Sequence, residues 1–391
     1  MKSKNLVAIL LVACIALEGC ASAEEFPETL QEVRPGTYMS DNPADFPFPT
    51  SGYTVYIVGE SHGNRETKRI FQVFLESLYQ EAGLRDVILE EDQAYETEAN
   101  AYVQGQIEEL PRGLCLRADI LGQIRTFNSN LPNDQKITIH LVDVDSPMPA
   151  IYQHLTELHG QLGPAAASIP LPSFSDFNTW VARQRGAFVE ELQSISADHP
   201  DIMNGLETVS LSLDWYNLGN RVDVGWPATI SRTKYAPIRE DVITMNIRHV
   251  LSQLNGRPVL AFFGLFHGTK IVAVPNPPIE GFKSWAQRLL EDEVSVYSLA
   301  MLGTSGSSDW RGRTLPHDRE LLNEFDLTDG TPVLSLFETY PGFEIIYTDY
   351  RTEENSALTL PADFLNLPAS QIFDGLIIFK EFTPMENVCP P

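Results

Sequence analysis

The run Tyr53-Thr54-Val55-Tyr56-Ile57-Val58 passes straight into Gly59-Glu60-Ser61-His62-Gly63 and from there into a helical pattern. A short, near-continuous apolar run of this kind is the pattern of a strand covered on both faces, as in a parallel sheet. Asn64 stands where a cap belongs, before a helix over 65–82 whose Phe71, Phe74, Leu75 and Leu78 form an apolar stripe that closes at Gly83. Side chains alternate along a strand, so Glu60 and His62 share a side at its end. A carboxylate, an imidazole and a helix N-terminus therefore meet at one turn.

Further strands are expected over 86–90, 137–144, 258–263, 294–301, 343–347 and 375–380, with helices over 94–109, 119–128, 240–254 and 284–290 among them. This alternation predicts an α/β fold, a mostly parallel central sheet flanked by helices. From Pro149 to Trp226 the patterns are helical only, at 177–195 and 206–218, which predicts a helical insertion subdomain over 149–226. The α/β domain then comprises 53–148 and 227–391. Residues 24–52, rich in Pro, Glu and Asp, read as an irregular leader.

Residues 1–23 have the layout of a secretory signal: Lys2 and Lys4, an apolar stretch from Leu6 to Leu17, then small residues at Gly19, Ala21 and Ala23. Two processing readings stand side by side. Leu17-Glu18-Gly19-Cys20 resembles a lipobox, which would anchor the chain through a lipid on Cys20, whereas Ala21-Ser22-Ala23 is an ordinary cleavage site. Either way the expected location is the periplasm or cell envelope. A formal charge of -26 makes nucleic acid an unfavourable partner and leaves a lipid anchor as the expected route to a membrane. Of four cysteines, Cys115 and Cys389 fall in the folded body, and export favours a disulfide between them.

In open α/β sheets ligands bind beyond the carboxyl ends of the strands, and polar residues recur there in this chain. Glu60 and His62 follow the first strand, Glu90 and Glu91 the second, Asp143 and Asp145 the third, and His267 follows 258–263 in Gly264-Leu265-Phe266-His267-Gly268. Adjacent strand residues point oppositely, so one of Glu90 and Glu91 is expected to face the crevice. Asp143 and Asp145 either cap a turn or act in the crevice. The set suits general base catalysis by a histidine oriented by a carboxylate. It suits equally a divalent metal, Zn, Mn or Co, held by Glu60, His62 and His267 with an open position for water. Arg239 and Asn246, seven residues apart on one helix face, are candidate binders of a substrate carboxylate or oxyanion. His140, His154, His159, His199, His249 and His317 receive no role. Neither a G-x-S-x-G elbow, a Walker A loop nor a G-x-G-x-x-G fingerprint is present.

Gly59-Glu60-Ser61-His62-Gly63, Leu89-Glu90-Glu91, Arg239-Glu240 through Asn246 and Gly264-Leu265-Phe266-His267 together resemble the erythromycin esterase-like proteins. They also resemble the wider superfamily of Tiki metalloproteases, TraB-like proteins and ChaN-type haem-binding lipoproteins. The resemblance runs from about Tyr53 to Thr383, with Phe373 to Phe379 as the closing strand. It implies a water-activating histidine at His62, supported by Glu60, with Glu90 or Glu91 and His267 completing the site. Tiki-like members use comparable positions for a divalent metal. The Gly-Glu-Ser-His spelling departs from the esterases' Gly-Glu-x-Thr-His. The function expected is an exported hydrolase acting on an ester, lactone or amide of a small molecule or peptide. The alternative is a ChaN-like envelope lipoprotein that binds haem or another ligand without catalysis.

Overall fold

The computed structural model describes residues 29–220, 229–271, 283–310, 313–316, 331–360 and 367–385. The signal, Cys389 and His317 lie outside the described residues. Eleven strands occur in chain order: β1 (Gln31–Arg34), β2 (Thr37–Ser40), β3 (Val55–Glu60), β4 (Asp86–Asp92), β5 (Thr138–Asp143), β6 (Val259–Gly264), β7 (Val296–Gly303), β8 (Ser307–Trp310), β9 (Arg313–Pro316), β10 (Ile345–Asp349) and β11 (Gly375–Phe379). The helices that matter to the site are α1 (Glu66–Glu81), α2 (Glu96–Val103), α3 (Ala118–Ser129), α4 (Met148–Leu162), α5 (Phe174–Ile195), α6 (Pro200–Asn220), α7 (Thr229–Gln253) and α8 (Trp285–Glu291).

Nine strands form one sheet in the order β1-β2-β10-β11-β7-β3-β6-β4-β5. From β11 to β5 every neighbouring pair is parallel, and only the β10, β2 and β1 edge is antiparallel. The expected α/β architecture is therefore present. The chain leaves β3 for β4 and β5, then returns to lay β6 between β3 and β4, so β3, β6, β4 and β5 end side by side.

Alternation along these strands sorts the core into two layers. Tyr56 and Val58 of β3, with Leu260 and Phe262 of β6 and Val87 and Leu89 of β4, pack against Phe71, Phe74 and Leu75 of α1 and Ile120 and Leu121 of α3. Val55, Ile57, Val259, Ala261, Phe263 and Ile88 pack on the opposite face against Ile243 and Ile247 of α7 and Trp285 of α8. At about 25 cal/mol per Å² of apolar surface removed from water, such two-sided burial is the main stabilising contribution to the sheet.

The leader is a correction to the sequence reading. Residues 24–52 include β1 and β2, and β2 pairs with β10 to extend the sheet. Each strand has only four residues, and Met39 is the one apolar core residue that β2 supplies, too little to register as periodicity. Gly36, at φ +71, makes the turn between them, where a Cβ would collide with Thr352 and Asn355.

Between β5 and β6 the described chain is helical, from α4 to α7. Ile151, Leu155, Leu158, Leu206, Val209 and Leu213 form an apolar cluster of their own there. Among the described residues no helix is long and apolar enough to cross a membrane.

Candidate functional site

Four adjacent strand ends deliver the charged groups. Glu60 closes β3 and is buried, its Cα partner on β6 being Gly264. Asn64 secures the turn beyond it by accepting the Thr67 N–H at 3.1 Å, the capping contact expected of it. That turn returns His62 over the strand end, where His62 Nδ1 lies 2.8 Å from Glu60 Oε1.

Arg117, which sequence reasoning did not select, is the buried cation beneath this pair. It ends the turn Arg112–Arg117 just before α3. Its Nη1 donates to Glu60 Oε1, its Nε donates to Glu91 Oε1 at 2.8 Å, and its Nη2 donates to the Glu90 carbonyl at 3.4 Å. Burial works to raise the Glu60 pKa, but Arg117 and then His62 oppose it and hold the carboxyl down to about 2. Glu60 is thus ionised and accepts a hydrogen bond from the Nδ1–H of His62.

The second histidine has a parallel arrangement. His267 Nδ1 is bonded to Glu240 Oε1, and Glu240 is buried, with its other oxygen accepting the Trp285 N–H at 2.7 Å. His267 Nε2 lies 3.1 Å from Arg239 Nη1 and 3.4 Å from Glu90 Oε1. Burial lowers the His267 pKa, yet Glu240 and Glu90 outweigh it and the net direction is upward.

Glu90 stands between the two imidazoles. Its Oε2 accepts the Gly264 N–H at 2.6 Å, and its Oε1 accepts from Arg239 Nη2. Burial works to raise its pKa, and the positive charges of His267 and Arg239 hold it well below the usual carboxylate range. A Cβ on Gly264 would come within 2.8 Å of His62 Nε2, so glycine at this strand end makes the space the imidazole fills. Arg239 also donates through Nε to Asp143 Oδ1 at 2.8 Å and Oδ2 at 3.1 Å. Asp143 thereby joins the site.

Glu90 and Glu91 point to opposite sheet faces, as alternation requires, yet the network takes in both. Glu91 follows Leu89 onto the α1 and α3 face and meets Arg117, while Glu90 meets Arg239 from α7 on the other face. Glu90 is the one that meets His267 and Arg239, while Glu91 is joined to the site through Arg117. Asn246 is placed differently from its expected substrate contact. Two helical turns beyond Arg239, roughly 10 Å along the axis, it donates to the Val142 carbonyl at 3.1 Å and accepts from Asn204 and Thr208. Asp145 pairs with His154, also away from the crevice. Glu240 was present in the motif without a role. The signal for Arg117 and Arg239 was the surplus of strand-end carboxylates, which cannot be buried without guanidinium partners.

The donors do not fit a shared divalent ion. Both oxygens of Glu90 and one of Glu60 accept from guanidinium or backbone groups, and Arg239 Nη1 stands 3.1 Å from His267 Nε2; the Nδ1 contacts to glutamate are ones a metal-ligating histidine also makes and count neither way. Among the described residues no three His, Cys, Asp or Glu side chains converge to hold one ion, so the set Glu60, His62 and His267 does not assemble as a cage. Arg117 and Arg239 stand where neutralising positive charge is needed. Cys115 is disulfide-bonded, and the expected partner, Cys389, lies outside the described residues.

No family model matches the chain, and no curated protein matches it in sequence. Solved structures do resemble it. A Bacillus cereus protein superposes with a TM-score of 0.63 at 14% identity, covering 86% of this chain and 90% of its own. A succinoglycan biosynthesis protein gives 0.57 at 12% identity over 85% and 88%. Erythromycin esterase EreC, a histidine variant in its open conformation, gives 0.55 at 12% identity over 87% and 93%. At these identities the likeness establishes a shared fold, the one the sequence motifs implied.

Proposed function

We propose that this chain is an exported hydrolase that uses His62 as general base and His267 as general acid on an ester, lactone or amide carbonyl. The observation that carries this reading is the pair of imidazoles, each bound through Nδ1 to a buried glutamate, on either side of Glu90 at one strand-end crevice. With Nδ1 bound to ionised Glu60, His62 presents a basic Nε2, and its side chain is 30% exposed, enough for water to reach it. Water gives a proton to His62 as its oxygen adds to the carbonyl carbon. His267, whose protonated form Glu240 and Glu90 favour, returns a proton from Nε2 to the leaving oxygen or nitrogen as the bond to carbon breaks, once Arg239 Nη1, which stands 3.1 Å from Nε2, has turned to the carbonyl oxygen. Arg239, partly exposed beside His267, stabilises the negative charge that develops on the carbonyl oxygen. Phe266, 48% exposed next to His267, offers an apolar surface for the substrate.

Structural likeness to an erythromycin esterase supports ester or lactone chemistry as the first to screen. The signal over 1–23 supports export, with lipidation at Cys20 as the variant to check by mass spectrometry. The test is a panel of ester, lactone and peptide substrates against the wild type and the variants His62→Ala and His267→Ala. Each replacement is expected to lower turnover on the order of 10²–10⁴-fold. Turnover unaffected by both would remove the proposal, and haem binding with a persistent Soret band and no turnover would replace it with ligand capture.

A further inference from the structure

The turn Arg112–Arg117 is the part of the site with the thinnest support. Residues 105–109 before it are exposed, as are Arg112 and Gly113 within it. Neither Pro111 at its start nor Arg117 at the start of α3 makes a side-chain cap hydrogen bond. Yet this turn must place Arg117 so that one guanidinium serves Glu60 and Glu91 at once. Three contacts hold it. Leu114 is buried in the core, Gly113 lies so close to the Tyr95 ring that a Cβ would meet it at 2.4 Å, and Cys115 is disulfide-bonded. Only Leu116 separates Cys115 from Arg117. The other cysteines in the chain, Cys14, Cys20 and Cys389, all lie outside the described residues.

We propose that the disulfide at Cys115 is a positioning element of the site, which fixes the turn from which Arg117 holds Glu60, and through Glu60 the ring of His62. The site is then assembled only in the oxidised chain. The Cys115 thiol and its partner thiol form one S–S bond, and their two electrons and two protons pass to a disulfide donor, which leaves as a dithiol. Before export, in a reducing compartment, Arg117 is loosely held and the site is incomplete; oxidation after export completes it. This deepens the hydrolase reading and rests on its assignment of His62, which Arg117 serves through Glu60, but it is tested on Arg117 itself rather than on turnover.

The experiment uses the full chain labelled with ¹⁵N-arginine, with Arg117→Lys to assign the Arg117 Nε–H signal. In the oxidised protein that proton, donated to Glu91, exchanges slowly with water. Reduction with a phosphine, or Cys115→Ser, is expected to speed its exchange on the order of ten-fold or more, and reoxidation to restore it. An unchanged Arg117 signal when every thiol titrates as free would overturn the proposal. Hydrogen exchange by mass spectrometry covers a reduced protein that loses structure. Loss of protection confined to peptides around 112–119 and 60–64, with β6 still protected, supports a positioning role. Loss that includes β6 overturns it, because the bond would then be a general staple of the fold.

Discussion

His62 and His267 occupy equivalent chemical settings built by different means. His62 and its glutamate are two residues apart on one strand end, and the guanidinium that fixes Glu60 comes from the α3 side of the sheet. His267 takes its glutamate from α7, where Glu240 directly follows Arg239, so one helical turn supplies both the carboxylate and the cation of the second histidine. The first imidazole sits above a strongly acidic carboxylate and is the more exposed of the two, at 30% against 18%. The second is more enclosed, with Glu240 and Glu90 both favouring its charged form. The difference teaches that a similar Nδ1 contact can sit in two surroundings, one open toward solvent and one closed by a second carboxylate, Glu90.

The largest effect expected from breaking this contrast, outside the histidines themselves, comes from Gly264→Ala. Its Cβ would press on His62 Nε2 at 2.8 Å and more lightly on Glu90 Oε2 at 3.2 Å without touching the Glu240 contact, so turnover should fall on the order of 10²-fold while the His62 signals, read by NMR, shift more than those of His267. Glu240→Gln keeps the shape but removes the charge beneath His267. Turnover should fall about ten-fold or more, and the basic limb of the pH–rate profile should move to lower pH, because the group that raises the His267 pKa has gone. Glu240→Ala also leaves the buried Trp285 N–H without its acceptor, which should cost about 1–3 kcal/mol in chemical unfolding.

The smallest effect is on stability against pH. Glu60 has a folded pKa lowered from 4.5 to about 2, so the stability it contributes is present above the unfolded value and is lost as pH falls through that interval. Glu60→Gln should flatten this loss between about pH 4.5 and 2. His267 has the opposite sign: its raised pKa contributes stability at low pH that is lost as pH rises through the folded value. Glu240→Gln should diminish that second dependence and leave the first intact.

Much of the fold was legible because parallel strands buried on both faces spell themselves as short apolar runs, as in Val259 to Phe263, and every parallel strand of the sheet was read that way. The β1–β2 hairpin was not legible, since β2 holds its place by pairing with β10, and β1 by pairing with β2, more than by apolar side chains. Within the site, Glu60 and His62 could be paired from spacing alone, and the glycines around His267 marked a second strand end. Arg117 was harder to find, because the surplus of strand-end carboxylates calls for a cation without saying which, and its partners lie 26 and 57 residues away. Asn246 shows the converse limit. Periodicity puts it on the Arg239 face of α7, but the face spans two turns and only its upper end reaches the crevice.

The measurement that bears most directly on the division of labour is the protonation state of the two rings, read by long-range ¹H–¹⁵N correlation of histidine-labelled protein across a pH titration. The account predicts that the neutral form of His62 carries its proton on Nδ1, leaving Nε2 bare. It also predicts that His267 stays doubly protonated above the ordinary histidine value of 6.5. A neutral His62 protonated on Nε2, or a His267 that loses its proton below that value, would contradict the assignment of base and acid.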